Sequence, residues 1–333
     1  MFRGMNAAKN PLVSIDIVKG SPEQNVLGAV RTLAAAAEEA DGNPPLSEQT
    51  LLQLRSEPDT DAIIGAYAYL LESADYDSGE LVGAAVAVLG TAGQPGTLEL
   101  AVHPSFREDG IAGALLEALA ERTDLTDLRA WAHGNHEGAA KLAERFGFTP
   151  VRELWRMRLV HGTPVPAPVL PAGTRIRAFN PDTDGPAWVA ANAAAFAHHP
   201  EQGAMTLADL HARMDEDWFD AAGFLLAVDA EDRIQGFHWT KVHPATSSAT
   251  TGEHQAIGEI YVVGVVPAAQ GTGLGKALTL AGIEHLNGKG LDALMLYVDA
   301  DNTAAVALYR KLGFTKWDVD VMYAPASSRD SVE

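Results

Sequence analysis

Glu259-Ile-Tyr-Val-Val-Gly-Val-Val-Pro267 runs through two alanines into Gln270-Gly-Thr-Gly-Leu-Gly-Lys276, and the reading of this stretch decides the fold. The apolar run over Glu259–Val265 predicts a buried strand. The spacing of apolar residues over Gly273–Leu286 predicts a helix. Between them, Gly271, Gly273 and Gly275 allow the backbone to approach a ligand closely, and the helix that follows points its unpaired amides into the same space, which favours a pyrophosphate. A dinucleotide loop is the rival, but it reads Gly-x-Gly-x-x-Gly with an acidic residue about 20 positions on. The glycine order is wrong for it. Working outward, Ala293–Val298 predicts a strand and Asn302–Leu312 a helix stopped by Gly313. Upstream, Thr174–Ala178 predicts a strand, Pro186–Phe196 a helix, and Phe224–Val228 with Ile234–Val242 a hairpin about Asp229-Ala-Glu-Asp232. The class is mixed α/β.

The same pattern occurs earlier in the chain. Leu98-Glu-Leu-Ala-Val-His-Pro-Ser-Phe-Arg-Glu-Asp-Gly-Ile-Ala112 parallels the strand and loop, with Val102, Pro104, Arg107, Gly110 and Ala112 against Val265, Pro267, Gln270, Gly273 and Gly275. Trp131–Phe148 likewise parallels Tyr297–Phe314. Between the copies, residues 161–173 carry Pro164, Pro166, Pro168 and Pro171, which suit neither helix nor central strand. A duplicated domain is expected, spanning 12–160 and 174–325, with 161–173 as a Pro-rich linker.

The loop alone is weak evidence, because glycine-rich turns also serve packing. Together with Val265-Val-Pro267 and Asn302-Thr-Ala-Ala-Val-Ala-Leu-Tyr-Arg-Lys-Leu-Gly-Phe314 it resembles the acetyl-coenzyme A signature of the GNAT N-acetyltransferase superfamily. That resemblance implies two tandem GNAT domains, each a mixed, largely antiparallel sheet flanked by helices. It also implies that Val263, Gly264 and Val265 pair with the pantetheine arm, and that Gln270, Gly271, Thr272, Gly273, Leu274, Gly275 and Lys276 hold the pyrophosphate. Asn302, Ala304 and Ala305 would flank the thiol end. Gly271 and Thr272 stand where such loops are often basic, so weaker phosphate contacts are expected. Transfer to an amine needs the neutral amine, so a base is useful. Glu259 can accept the proton, although its position alone also fits a solvated strand-end carboxylate. Tyr309, two helical turns beyond Asn302, would by the resemblance be the general acid for the leaving thiolate; from spacing alone it also fits a core aromatic.

The first copy lacks these groups. His136 stands opposite Asn302, Ala143 opposite Tyr309, and Glu108 and Asp109 lie where phosphates would sit. It is expected to be non-catalytic, either holding acetyl-coenzyme A through Leu100, Ala101, Val102, Arg107, Gly110, Ala112 and Gly113 or walling the substrate cleft. His199-Pro-Glu-Gln-Gly203 and Phe237-His-Trp-Thr-Lys-Val-His-Pro244 suggest a specificity surface. They resemble the tandem GNAT proteins that acetylate the cysteinyl amine of cysteinyl-glucosaminyl-inositol. This implies Glu48, Glu201, Lys241, Glu259 and Tyr297 as acceptor contacts, groups suited to a ligand dense in hydroxyls. Ser47-Glu48 also reads as an ordinary capped helix start. Another amine acceptor (an aminoglycoside or a protein N-terminus) and a non-catalytic acetyl-coenzyme A binding module stay open.

Composition bounds the rest. With 333 residues, 47% hydrophobic and 20% charged, the chain suits two globular domains. A formal charge of −20 disfavours nucleic acid. The absence of cysteine excludes disulfides and a cysteine nucleophile. No metal is expected, since His198-His199 and His133-x-x-His136 lack partners at ligand spacing. No apolar stretch approaches the roughly 20 residues of a membrane span, and Met1–Gly20 shows no signal-peptide core. A cytoplasmic monomer is expected.

Overall fold

The computed structural model describes residues 13–55, 61–71, 79–90, 93–160, 162–248, 252–254 and 256–326. The expected first domain boundary at 12 lies outside them. The chain divides into two compact units, one of Met1–Leu154 with Val319–Glu333, the other of Trp155–Asp318.

The first unit contains β1 (Val13–Lys19), α1 (Gln24–Asp41), α2 (Glu48–Leu54), β2 (Ile63–Leu70), β3 (Leu81–Val88), β4 (Gly96–Val102), α3 (Ile111–Ala120), β5 (Leu128–Ala132) and α4 (Glu137–Arg145). Strands β1 to β4 form an antiparallel meander, and β5 joins β4 in parallel. A bulge in β3 opposite Ala68 and Tyr69 breaks the period-2 alternation once, so Val82 joins Ala85 and Ala87 toward Leu115 and Leu119 of α3, while Leu81, Ala84 and Val86 pack toward Leu27, Val30 and Leu33 of α1. Helices therefore cover both faces of this sheet.

The second unit follows the same plan. After β6 (Phe148–Val160) come β7 (Arg175–Ala178), α5 (Gly185–Ala195), α6 (Pro200–Gly203), α7 (Leu207–Met214), β8 (Phe224–Val228), β9 (Ile234–His243), β10 (Thr246–Ser248), β11 (Gly252–His254), β12 (Ile257–Val265), α8 (Leu274–Asn287), β13 (Ala293–Asp299), α9 (Thr303–Lys311) and β14 (Thr315–Pro325). Strands β7, β8, β9 and β12 pair antiparallel, and β13 pairs with β12 in parallel. One face packs on α8 through Ile260, Leu280, Ile283 and Leu286. The other packs on α5 through fully buried Trp188, Phe224, Phe237 and Trp239. Their rings meet edge-on or stacked, Trp188 at 5.3 Å from Phe224 and Phe224 at 4.3 Å from Trp239.

The expected linker at 161–173 lies inside the second unit, and the units divide instead within two strands. Between Leu154 and Trp155 the chain leaves the first unit along β6, and it returns along β14 between Asp318 and Val319. The returning segment pairs with β5, Val321 opposite Ala132 and Tyr323 opposite Ala130. Proline blocks regular structure at 161–173, but cooperative packing, which sets where a unit ends, follows the strands.

Candidate active site

Strand β12 is paired on both sides only over its first half. Its parallel register with β13 runs from Ile257↔Ala293 to Ile260↔Leu296, whereas its antiparallel register with β9 continues to Val265↔Gly236. Beyond Ile260 the register with β13 ends, and backbone groups at such a parting take partners other than the neighbouring strand. A β-bulge at Tyr261 marks the parting. Ile260 packs on the α8 side, while Tyr261 and Val262 both join the aromatic cluster on the opposite face. Val263, Gly264 and Val265 lie on this open stretch.

The strand delivers the chain to the glycine loop. Gly271 and Gly273 have φ of +76° and +87°, left-handed values costly for other residues, and nothing lies within 4 Å of where their Cβ atoms would be. Gln270 Nε2 donates to Val265 O at 3.1 Å and Thr272 Oγ1 to Ala269 O at 2.7 Å, so side chains brace the loop from behind. Gly273 begins α8 without a side-chain cap. The first amides of that helix, from Leu274, Gly275 and Lys276, are left for an anion. An open strand edge, an uncluttered glycine turn and an uncapped helix start fit the pantetheine and pyrophosphate of acetyl-coenzyme A.

At the start of α9, Asn302 accepts a hydrogen bond from Ala305 N at 3.1 Å through Oδ1, so its amide oxygen serves as the helix cap. Ala304 is exposed and Ala305 partly buried. Tyr309 is half-buried, its ring 5.8 Å from that of Phe314. Burial pushes its hydroxyl up to about 12, so it holds its proton at neutral pH.

Glu259 is 5% exposed, not a solvated strand-end carboxylate, and its Oε2 lies 2.6 Å from His243 Nε2. Lys241 stands opposite Glu259 in the β9–β12 register. Its ammonium sits 4.4 Å from the Trp218 ring and 5.2 Å from the Tyr261 ring, whose hydroxyl accepts from Arg213 Nε at 2.9 Å. Tyr297 on β13 lies 6.0 Å below the guanidinium of buried Arg156, itself 4.4 Å above Trp317. Glu201 is on α6, and its side chain lies outside the described part. Residue patterns left His243, Trp218 and Tyr261 without a role. Their contacts depend on strand register and on the bulge, and of these only the His243 segment carried a signal, its density of polar and aromatic residues.

The first unit repeats the backbone with different side chains. β4 pairs with β5 only from Gly96↔Leu128 to Leu98↔Ala130, so Leu100, Ala101 and Val102 follow a comparable parting. Gly110 begins α3 at φ +82°, and Glu108 adopts φ +68° where its counterpart is Gly271. Arg107 donates through Nε to Val102 O at 3.2 Å, as Gln270 does to Val265 O, and grips Asp41 through both terminal nitrogens at 2.7 Å. Its charge is thereby matched inside the unit. A cavity of about 800 Å³ opens here, lined among others by Val102, Arg107, Gly110, Ala112, Gly113 and His136. Glu48 opens α2 of this unit, capped by Ser47 Oγ, which accepts from Thr50 N at 3.2 Å.

Deeper in the unit, His133 is held between Glu99, 3.1 Å from Nε2, and Asp320, 3.0 Å from Nδ1. Burial alone would lower its pKa, but the two carboxylates outweigh that and raise it to about 10, leaving an imidazolium clamped by two anions. Burial likewise opposes ionisation of Glu99, yet hydrogen bonds and charge from His133, with help from Thr50 and Ser47, hold its carboxyl below the usual range.

Among the described residues no cluster of three or more His, Asp or Glu could hold a metal, and no helix is long and apolar enough to cross a membrane. Residues 192–314 match the acetyltransferase (GNAT) family and residues 66–150 an acetyltransferase (GNAT) domain. The chain is 58% identical to a mycothiol acetyltransferase of Paenarthrobacter aurescens, covering 93% of this chain and 95% of that one. It is 55% identical to a mycothiol acetyltransferase of Pseudarthrobacter chlorophenolicus, over 93% and 96%. Among solved structures, a tandem GNAT protein from the clavulanic acid biosynthesis pathway shares the fold at a TM-score of 0.67 and 20% identity, over 93% of this chain and 98% of that one.

Proposed function

The chain belongs to the mycothiol acetyltransferase family of tandem GNAT proteins, and on that premise we propose that its second unit acetylates the cysteinyl amine of cysteinyl-glucosaminyl-inositol. The protein is an N-acetyltransferase and its acetyl donor is acetyl-coenzyme A, which supplies the acetyl group as a thioester. The observation that carries the assignment to the second unit is Tyr309 on α9, half-buried and protonated, since the strand parting and uncapped helix start beside it recur in the first unit, where Ala143 stands in its place. In this reading Val263, Gly264 and Val265 pair with the pantetheine amides. Gln270 through Lys276 surround the pyrophosphate with main-chain N–H groups.

Glu259 then takes the proton of the acceptor ammonium, which frees the nitrogen lone pair for attack on the thioester carbonyl. Burial suits a base that must not be solvated away from its target. Tyr309 keeps its proton until the carbon–sulfur bond breaks, then passes it to the departing sulfur and regains one from the acceptor nitrogen, which sheds its surplus proton as the amide forms. Lys241, with Tyr297 and Glu201, is assigned to the hydroxyl-rich part of the acceptor, and Glu48 on the resemblance alone. The first unit lacks a counterpart of Tyr309, and its Arg107 is engaged by Asp41. It is assigned no chemistry.

Steady-state assays that follow free thiol release from acetyl-coenzyme A test the reading across acceptors. Cysteinyl-glucosaminyl-inositol should be acetylated far faster than an aminoglycoside, a peptide N-terminus or the same glycoside lacking cysteine. Ready turnover of one of those three, without turnover of the cysteinyl compound, would overturn the acceptor and leave the acetyl transfer standing.

A further inference from the structure

We infer that His243 is a positioning residue for this reaction, holding the Glu259 carboxylate in the orientation that takes the amine proton; the role rests on the reading of Glu259 as the base. The geometry begins in strand register. Glu259 on β12 is paired with Lys241 on β9, and His243 is two residues further along β9, so it projects from the same face and meets Glu259 diagonally. The contact is short, His243 Nε2 to Glu259 Oε2 at 2.6 Å. The Glu259 side chain is only 7% exposed, while that of His243 is 38% exposed. The imidazole thus reaches from the surface onto a carboxylate that water scarcely touches.

A general base works through the direction of one lone pair, and a carboxylate on a strand can still turn about its last side-chain bond. With its proton on Nε2, the imidazole donates to Oε2 and removes that freedom. Oε1 is then the oxygen that faces the acceptor. The N–H bond of the ammonium breaks, the Oε1–H bond forms, and the nitrogen pair becomes the nucleophile. His243 neither gains nor loses a proton in this step. The strand beneath is closely packed. A Cβ at Gly258 would lie 2.8 Å from both Leu291 and Leu294 side chains, so β12 is seated close against its neighbours next to Glu259. Lys241 is braced over Trp218 and Tyr261, which fixes the other side chain of the pair.

The test compares four forms of the full-length protein: His243→Ala, His243→Gln, Glu259→Gln and the double variant His243→Ala/Glu259→Gln. His243→Ala should lower kcat on the order of tenfold to 10²-fold, as expected for a misplaced reacting group, with KM for acetyl-coenzyme A unchanged. His243→Gln, whose amide can donate to Oε2, should restore most of the loss. The double variant should be no slower than Glu259→Gln alone, because His243 acts through that carboxylate. Wild-type kcat in His243→Ala while Glu259→Gln is impaired would overturn the positioning role alone, as would losses that multiply in the double variant. A His243→Gln form as slow as His243→Ala, with both melting earlier, would mark His243 as structural and overturn it as well. Full turnover in Glu259→Gln would overturn the base itself.

Discussion

Tyr309 is the side chain proposed to protonate the leaving sulfur, and its surroundings bear on that role. Its hydroxyl sits at about 12 because the ring is surrounded by apolar neighbours and not because an acid lies beside it. It is therefore fully protonated at any working pH and can hydrogen-bond to a developing thiolate. Tyr309→Phe keeps the ring and its packing on Phe314 but removes the proton. We expect kcat to fall about 10²-fold with acetyl-coenzyme A affinity unchanged, measured by steady-state kinetics where chemistry limits. Unaltered kcat would reduce Tyr309 to a packing residue. Lys241 differs, since a charge held over two aromatic rings is suited to recognition. Lys241→Ala should raise KM for the acceptor while kcat changes little, because a contact made equally in ground and transition states contributes uniform binding. A loss confined to kcat would contradict that.

At the scale of the element, the two glycine loops form a matched pair. Gly110 and Gly273 each precede a helix at φ of +82° and +87°, and each would leave an added Cβ in open space. A glutamate at either position carries the same left-handed strain, roughly 1–3 kcal/mol, and the same negative charge at a helix start. Any difference in activity must then come from what the two loops do. Gly273→Glu should abolish turnover by putting charge and bulk at the proposed phosphate site, whereas Gly110→Glu should leave it largely intact. Acetyl transfer assays beside thermal melts check this. Loss of turnover in Gly110→Glu with the fold preserved would move chemistry into the first unit.

For the whole molecule, the route of the chain matters most. The first unit is completed by residues that come after the second, since Val321 and Tyr323 pack with Ala132 and Phe148, and Asp320 closes the clamp on His133. A fragment ending at residue 160 should therefore fail to fold stably by circular dichroism, and joining 319–326 to it through a flexible linker should rescue it. A cooperative melt of the short fragment equal to that of the joined form would refute this. The clamp also predicts a pH dependence. Because the folded pKa of His133, about 10, is above its ordinary value, its stabilisation is complete below about pH 6.5 and is lost as pH rises through 10. The melting temperature of the protein should exceed that of His133→Gln most at neutral and lower pH, with the gap closing toward pH 10. A gap that widens with pH would contradict an imidazolium clamp.

Local patterns sufficed for some of this. The apolar run before Pro267, the glycines of the loop, and the Asn302 cap with Gly313 as stop each encode their element through nearest-neighbour physics, and so β12, α8 and α9 were legible within a residue or two at either end. The duplication and the acetyltransferase family were legible for the same reason, as both rest on contiguous residues. The helices α6 and α7 and the strand β14 were not read, since the two helices are short and the apolar residues of β14 acquire meaning only against a partner surface. Nor was the path of the chain between units, because prolines report where regular structure cannot form and not where packing ends. The Glu259–His243 contact, the cradle of Lys241 over Trp218 and Tyr261, and the imidazolium between Glu99 and Asp320 join residues 16 to 187 positions apart. Sequence alone determined which groups the chain carries and which elements bear them; register, a one-residue bulge and burial decided which groups meet and with what charge, because those depend on the distance between strands and on the exclusion of water, quantities that exist only once the sheet has closed.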